Sequence, residues 1–210
     1  NEISSATRLH LSLTPNERIK RRIIECFEKK LQKVFPSNQE HKWYIVGSYR
    51  RGEKYSSDID LLIISTSEPL DLFESLKEAL KIIASEDGVI GYAGGSKRMN
   101  LLVDLKSCGL LEENKSTSTP VSTYAKVDIF LTKPENEFPM LVYSTGPADT
   151  MIKLRSKLKK GIKDETGVIK KYKLNQFNLW DITDELDPKP IDVQNEHQLF
   201  DLADMPYVMD

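Results

Sequence analysis

Apolar residues recur on one helical face at Ile19, Ile23, Ile24, Phe27, Leu31 and Val34, a spacing that predicts an amphipathic helix. Just ahead of it, Thr14-Pro15-Asn16-Glu17 reads as a capping box with Pro at the first helical position. Trp43 to Val46 predicts a short strand, with a turn beginning at Gly47-Ser48. Asp58 to Ile64 predicts a second strand, whose apolar tail implies burial on both faces. Leu72, Phe73, Leu76, Ala79, Leu80 and Ile83 return to the helical period. Strand patterns follow at about 98–106 and 124–131, separated by the Ser/Thr-rich turn Glu112 to Ser122. From Pro139 the pattern turns helical, breaks at Gly146-Pro147 and resumes as a basic helix. The class is α/β (α+β), and the change near 145 is the candidate domain boundary.

Composition narrows this little. A chain of 210 residues makes one large domain or two small ones, with room for a sizeable core. With 39% hydrophobic and 30% charged residues it is neither collagenous nor disordered. No apolar run exceeds four residues, as in Leu61 to Ile64, and no charged-then-apolar leader is visible, so neither a membrane helix nor a signal peptide is expected. Cys26 and Cys108 lie far apart in sequence with no Cys/His cluster, which excludes a zinc site and suits a reduced, intracellular protein. His10, His41 and His197 have no motif partners.

Charge changes the picture more. The formal net of −2 taken alone argues against a nucleic-acid binder. It is a cancellation: residues 17–33 carry a net of +4, residues 151–173 a net of +7, and residues 181–210 a net of −8. A local field decides what a surface attracts, so both basic helices are candidate grips for a phosphate backbone. The acidic end reads as a solvated edge.

Asp58 and Asp60 are separated by one residue in a strand pattern and so project from one side. Asp128, between Val127 and Ile129, faces away from those apolar neighbours in another strand. Three strand-borne carboxylates on one face invite divalent ions, because a cation relieves repulsion that would otherwise raise a pKa. They suit a two-metal phosphoryl-transfer site, with ions about 3.5 to 4 Å apart. Gly47-Ser48 follows a strand and precedes Tyr49-Arg50-Arg51-Gly52, so backbone N–H groups, a hydroxyl and a guanidinium can meet a polyphosphate.

GSYRRGEKYSSDIDLLI, then KVDIFL, LVYSTGPADTMIKLRSKLKKG, YKLNQFNLW and EHQLFDLADMPY resemble, in order, the palm and thumb of the family X DNA polymerases, within the nucleotidyltransferase superfamily. The resemblance runs over roughly residues 14 to 207. The Tyr-x-Thr-Gly and Asn-x-Phe elements set it apart from antibiotic, tRNA-end and oligoadenylate nucleotidyltransferases.

The resemblance implies a nucleotidyltransferase palm with a mixed β-sheet and flanking helices (1–144) and a small α/β thumb (145–210). It implies a DNA-directed DNA polymerase that fills short gaps in DNA repair, using two Mg²⁺ ions for which Mn²⁺ can substitute. Its partners would be gapped or primer-template DNA and a dNTP, with no membrane, and the protein a monomer inside the cell, in the nucleus or, if viral, the cytoplasm or virion. A template-independent or small-substrate nucleotidyltransferase is the alternative, ahead of a non-catalytic DNA-binding module. No stretch resembles the amino-terminal lyase or helix-hairpin-helix domains of larger members, which is similar to the minimal viral ones.

By the same resemblance, Asp58, Asp60 and Asp128 are the metal ligands, Asp128 being nearest the primer 3′-hydroxyl. Gly47, Ser48, Arg51 and Ser57 hold the triphosphate, although the family often has Gly where Ser57 stands. Tyr143, Ser144, Thr145 and Gly146 contact the sugar, with Ser144 where an aromatic is usual, and Arg155 reaches the template side. Lys126 lies near the primer terminus, and Lys153 and Lys157 face DNA on the thumb helix. Ala148 and Met151 replace an Asp and an Asn, which implies fewer and more apolar nucleotide contacts. The insertion at 161–171 is hairpin-like: a second DNA surface or an elongated turn. Trp43 and Trp180, in strand-like contexts, are expected in the core.

Overall fold

The computed structural model describes residues 18–110, 122–175 and 178–208. Strand β1 (Ile19–Lys20) leads directly into helix α1 (Arg21–Val34). Strand β2 (His41–Ile45), the one-turn helix α2 (Gly47–Arg50), strand β3 (Tyr55–Ser56) and strand β4 (Ile59–Ser65) follow. Helix α3 (Pro69–Ala84) has Pro at its start, where the fixed φ suits a helix and no hydrogen bond is lost. Strands β5 (Val89–Gly95), β6 (Arg98–Asp104) and β7 (Tyr124–Thr132) complete a five-stranded mixed sheet in the order β2-β4-β7-β6-β5, with only β4 and β7 parallel.

Strand alternation sorts the sheet into two faces. Leu61 and Ile63, Leu101 and Val103, and Val127 and Ile129 point to one face, where Ile23, Phe27 and Leu31 of α1 and Leu72, Leu76 and Leu80 of α3 cover them. Each fully buried side chain of this kind contributes about 1.5 to 3 kcal/mol. The other face carries Asp60, Leu62 and Ile64 along β4. Helix α4 (Glu137–Thr145) covers only the apolar end of that row, through Met140 and Leu141. Asp60, at the uncovered end, stays half-buried.

After α4 come helix α5 (Ala148–Lys160), a hairpin of β8 (Ile162–Lys163) with β9 (Ile169–Lys170), and a small sheet of β10 (Tyr172–Leu174), β11 (Leu179–Asp181) and β12 (Lys189–Pro190). Helix α6 (Glu196–Asp201) closes a second core of Val142, Leu154, Leu158, Leu174, Leu179, Leu199 and Phe200. Val142 belongs to this core while its neighbours Met140 and Leu141 belong to the sheet, so α4 packs into both.

Three sequence readings change, and two others fall outside the described residues. Ile19 is not helical: it pairs with Ser56 in a two-stranded ribbon, and the helix starts at Arg21. The expected capping box lies outside the described residues, as does most of the turn from Glu112 to Ser122. Strand β5 was not expected, because Gly91, Gly94 and Gly95 depress the strand signal; it is an edge strand with an irregular register between Gly91 and Ala93. Trp43 is buried and its indole N–H donates to the Phe35 carbonyl, but Trp180 is only half-buried. Cys26 and Cys108, distant in sequence, meet in the fold. Burial and the Cys26 thiol push Cys108 up to about 12, so it is unreactive as a thiolate.

Candidate active site

The chain enters the site at the end of β2, where the Val46 N–H donates to the Asp60 carbonyl at 2.8 Å. Gly47 then takes φ +61°, and a Cβ there would stand 2.0 Å from Asp60 Oδ2. Both the backbone conformation and the close approach of the carboxylate require glycine. The Ser48 hydroxyl donates to Ser56 Oγ at 2.8 Å, which ties α2 to β3. Ser56 carries no signal in the sequence that separates it from its neighbours.

The parallel register sets Asp60 directly beside Asp128, and Asp58 sits one residue ahead of β4 rather than within it. One oxygen from each of the three lies within 4.8 Å of the others. Asp128 is oriented from the neighbouring strand: Asn100, opposite it, donates its amide to Oδ1, and Arg98 donates to Oδ2 at 3.1 Å. The Ser57 hydroxyl donates to Asp58 Oδ1 at 3.1 Å. Burial, then the charges of Asp58 and Asp128, push Asp60 up to about 7 against the opposing effect of Arg51 and Arg98. Hard oxygens that converge and repel one another fit a divalent cation.

This has a consequence for the metal-free protein. The unfolded chain releases the Asp60 proton near 3.8, whereas the folded chain holds it to about 7. The native state therefore binds more protons across that window, and stability falls as pH rises through it. Thermal melts from pH 5 to 8 should show a steeper loss for the wild type than for Asp60→Asn, with Mg²⁺ recovering the difference at pH 8. Parallel pH profiles for the two proteins would refute the assignment.

A second network joins α2 to the later elements. Arg50 makes a two-pronged pair with Glu196 of α6, at 2.6 and 3.2 Å, and donates to Thr145 Oγ1 at 2.9 Å. The Tyr207 hydroxyl donates to Glu196 as well, at 3.0 Å. Arg51 donates to the Thr145 carbonyl at 2.7 Å and also holds the exposed Glu53. Thr145 is fully buried, and the Ser144 hydroxyl is turned back onto the Met140 carbonyl at 2.5 Å. Gly146 leaves the helix so close to Met151 that a Cβ would meet its Cε at 2.5 Å; Met151 itself is buried in the second core. Tyr143 packs partly against that same core.

Arg50 and Glu196 were not singled out in the sequence, because nothing local distinguishes Glu196 within an acidic stretch. That stretch is thus not wholly a solvated edge. Nor are the basic helices uniformly free. In α1, Arg21 lies 4.3 Å from the Tyr49 ring centroid, and Lys30 donates to the Ser107 carbonyl. Arg22, Lys29 and Lys33 remain exposed. In α5, Lys157 donates to the Asp204 carbonyl at 2.8 Å, while Lys153 and Arg155 are exposed. Lys126 is exposed on the face of β7 that bears Asp128. His41 stacks on Phe35 and His197 on Tyr207; His10 lies outside the described residues.

Residues 18–92 match the family model of the DNA polymerase beta palm. The chain is 31% identical over 136 residues to the repair DNA polymerase X of African swine fever virus, isolate Tick/South Africa/Pretoriuskop Pr4/1996, and equally to that of isolate Warthog/Namibia/Wart80/1980. Each alignment covers 64% of this chain and 62% of the relative, so the chain spans less than two thirds of the curated relatives it matches. The palm model takes in Gly47, Ser48, Arg51, Ser57, Asp58 and Asp60. Asp128 lies beyond it and is brought beside Asp60 by the β4–β7 register. No helix among the described residues is long and apolar enough to cross a membrane.

Proposed function

We propose that the chain is a DNA-directed DNA polymerase of family X that fills short gaps during DNA repair inside the cell. The observation that carries this is the convergence of Asp58, Asp60 and Asp128 beside the Gly47-Ser48 turn. Residues 1–144 would form the palm and 145–210 the thumb, with α4 packed into both cores. The protein would act as a monomer on gapped or primer-template DNA and a dNTP.

Asp58 and Asp60 would hold two Mg²⁺ ions, or Mn²⁺ in their place, and Asp128 one of them. Bound there, such ions neutralise phosphate charge and lower the pKa of a coordinated hydroxyl. The protein supplies position. Ser48 and Arg51 bind the triphosphate, with Gly47 and Ser57 shaping its seat; Glu53 is exposed, so its pairing with Arg51 yields to a phosphate at little cost. Tyr143, Ser144, Thr145 and Gly146 present the sugar-contacting segment, which Arg50 and Arg51 anchor. Asn100 and Arg98 aim Asp128 at the primer terminus, where the 3′-oxygen attacks the α-phosphorus and displaces pyrophosphate. Arg155 reaches the template side. Lys126, Lys153 and Lys157 take backbone phosphates, Lys157 by giving up its bond to Asp204.

The test is extension of a one-nucleotide gapped duplex with each single dNTP, beside single-stranded and hairpin primers. The expected result is incorporation of the complementary nucleotide on the gap. Extension of a single-stranded primer, indifferent to the templating base, would replace this reading with a template-independent nucleotidyltransferase.

A further inference from the structure

Helix α5 turns a second face away from the core. Met151, Leu154 and Leu158 are buried, whereas Ile152, Arg155, Ser156 and Lys159, at helical spacing, share an exposed face. Opposite them, Lys173 and Trp180 are direct partners across β10 and β11 and leave the same side of that sheet. The two sets line one groove of about 920 Å³.

Its chemistry is selective. Among the described residues, Arg155, Lys159 and Lys173 make no ion pair, and the one acid on the lining, Glu185, faces Lys171 at 3.7 Å. An indole that is half-exposed when the other tryptophan is buried has a flat π surface to offer. Unpartnered cations around an aromatic platform suit a base stacked on a ring with its phosphates on the rim, and every base supplies such a face. A duplex keeps its bases stacked inside and cannot use the indole. On the polymerase reading, the DNA substrate carries such an unpaired strand.

We infer that the groove between α5 and the β10–β11 strands binds single-stranded DNA, with a base stacked on Trp180 and backbone phosphates on Lys159 and Lys173. This rests on the polymerase reading for the identity of its occupant. It lies apart from the carboxylate cluster, and its key aromatic, Trp180, is one that sequence patterning assigns to the core.

Binding is measured with a dT oligonucleotide and neither nucleotide nor divalent ion, so its failure would leave the catalytic reading standing and the reverse holds too. The chain has two tryptophans, and Trp43 is buried, so quenching on titration reports Trp180. The oligonucleotide should quench the wild type; with Kd read for every variant from the anisotropy of a fluorescently labelled dT oligonucleotide, Trp180→Ala should raise Kd on the order of 10-fold while Trp180→Phe stays within about threefold. Lys159→Glu with Lys173→Glu alters exposed positions only, and should raise Kd at least as much and flatten the salt dependence. Absence of quenching, an unchanged Kd in both the Ala and the double-Glu variants, or an equal loss for a blunt duplex would overturn the proposal. Equal quenching by poly-glutamate would overturn it in favour of an acidic peptide.

Discussion

Asp128→Asn should reduce nucleotide incorporation on a gapped duplex on the order of 10³-fold, or about 4 kcal/mol of transition-state stabilisation. The side chain keeps its shape and can still accept from Asn100, so the packing around it is conserved. What is lost is one negative charge, at the point where two neighbouring strands bring Asp60 and Asp128 side by side. Nucleotide binding should hold within a few-fold, because Asp58, Asp60, Ser48 and Arg51 remain. Stability is the useful control. Asp128 is one of the charges that raise Asp60, so neutralising it relieves repulsion and should leave the metal-free melting temperature unchanged or higher at pH 8. An inactive variant that melts as the wild type places Asp128 in the reaction; substantial extension by that variant under Mg²⁺ would remove it.

The largest effect on stability is expected at Arg50. Its guanidinium is about a quarter exposed and Glu196 is nearly buried, at 28% and 10% of their side chains, and the two meet in a bidentate pair. Removing one partner leaves a buried charge without compensation, which costs about 3 to 5 kcal/mol. Among the described residues, Arg50→Ala leaves Glu196 with the Tyr207 hydroxyl, whereas Glu196→Ala leaves an arginine that still reaches Thr145 and solvent. Arg50→Ala should therefore be the costlier change in urea denaturation, and the double variant should cost less than the sum of the two. A loss below about 1 kcal/mol for Arg50→Ala would show the pair to be no more than a surface contact. The same substitution frees the Thr145 side chain that anchors the sugar-contacting segment, so the KM for nucleotide should rise more than kcat falls.

Elements with strong periodicity were legible in the sequence. The apolar stripes of α1 and α3 and the runs in β4 and β7 bury a face wherever they pack, so their type follows from spacing alone. Strand β5 was not legible, because three glycines remove the side chains that would signal it, and an edge position beside β6 supplies the hydrogen bonds instead. Residue Ile19 fits a helical stripe equally well as a strand position; its pairing with Ser56 decides, and Ser56 is remote in sequence. Trp180 illustrates the same limit, since a strand pattern does not say whether the face beyond it is covered.

For the candidate site the division runs between chemistry and arrangement. The residue types and spacing of Gly47-Ser48, Asp58-x-Asp60 and Asp128 declare in the sequence alone a place for phosphate and divalent cations, because close carboxylates and a glycine turn are local properties. Which strand neighbours which is not local. The parallel β4–β7 register brings Asp60 to Asp128, and the β6 neighbour supplies Asn100 and Arg98 to orient it. The tertiary structure alone decided that Arg50 would find Glu196, that Lys157 would turn to Asp204, and that Arg155, Lys159 and Trp180 would line one groove. A charge in the sequence has a sign but no partner; only packing selects the group that desolvates or neutralises it.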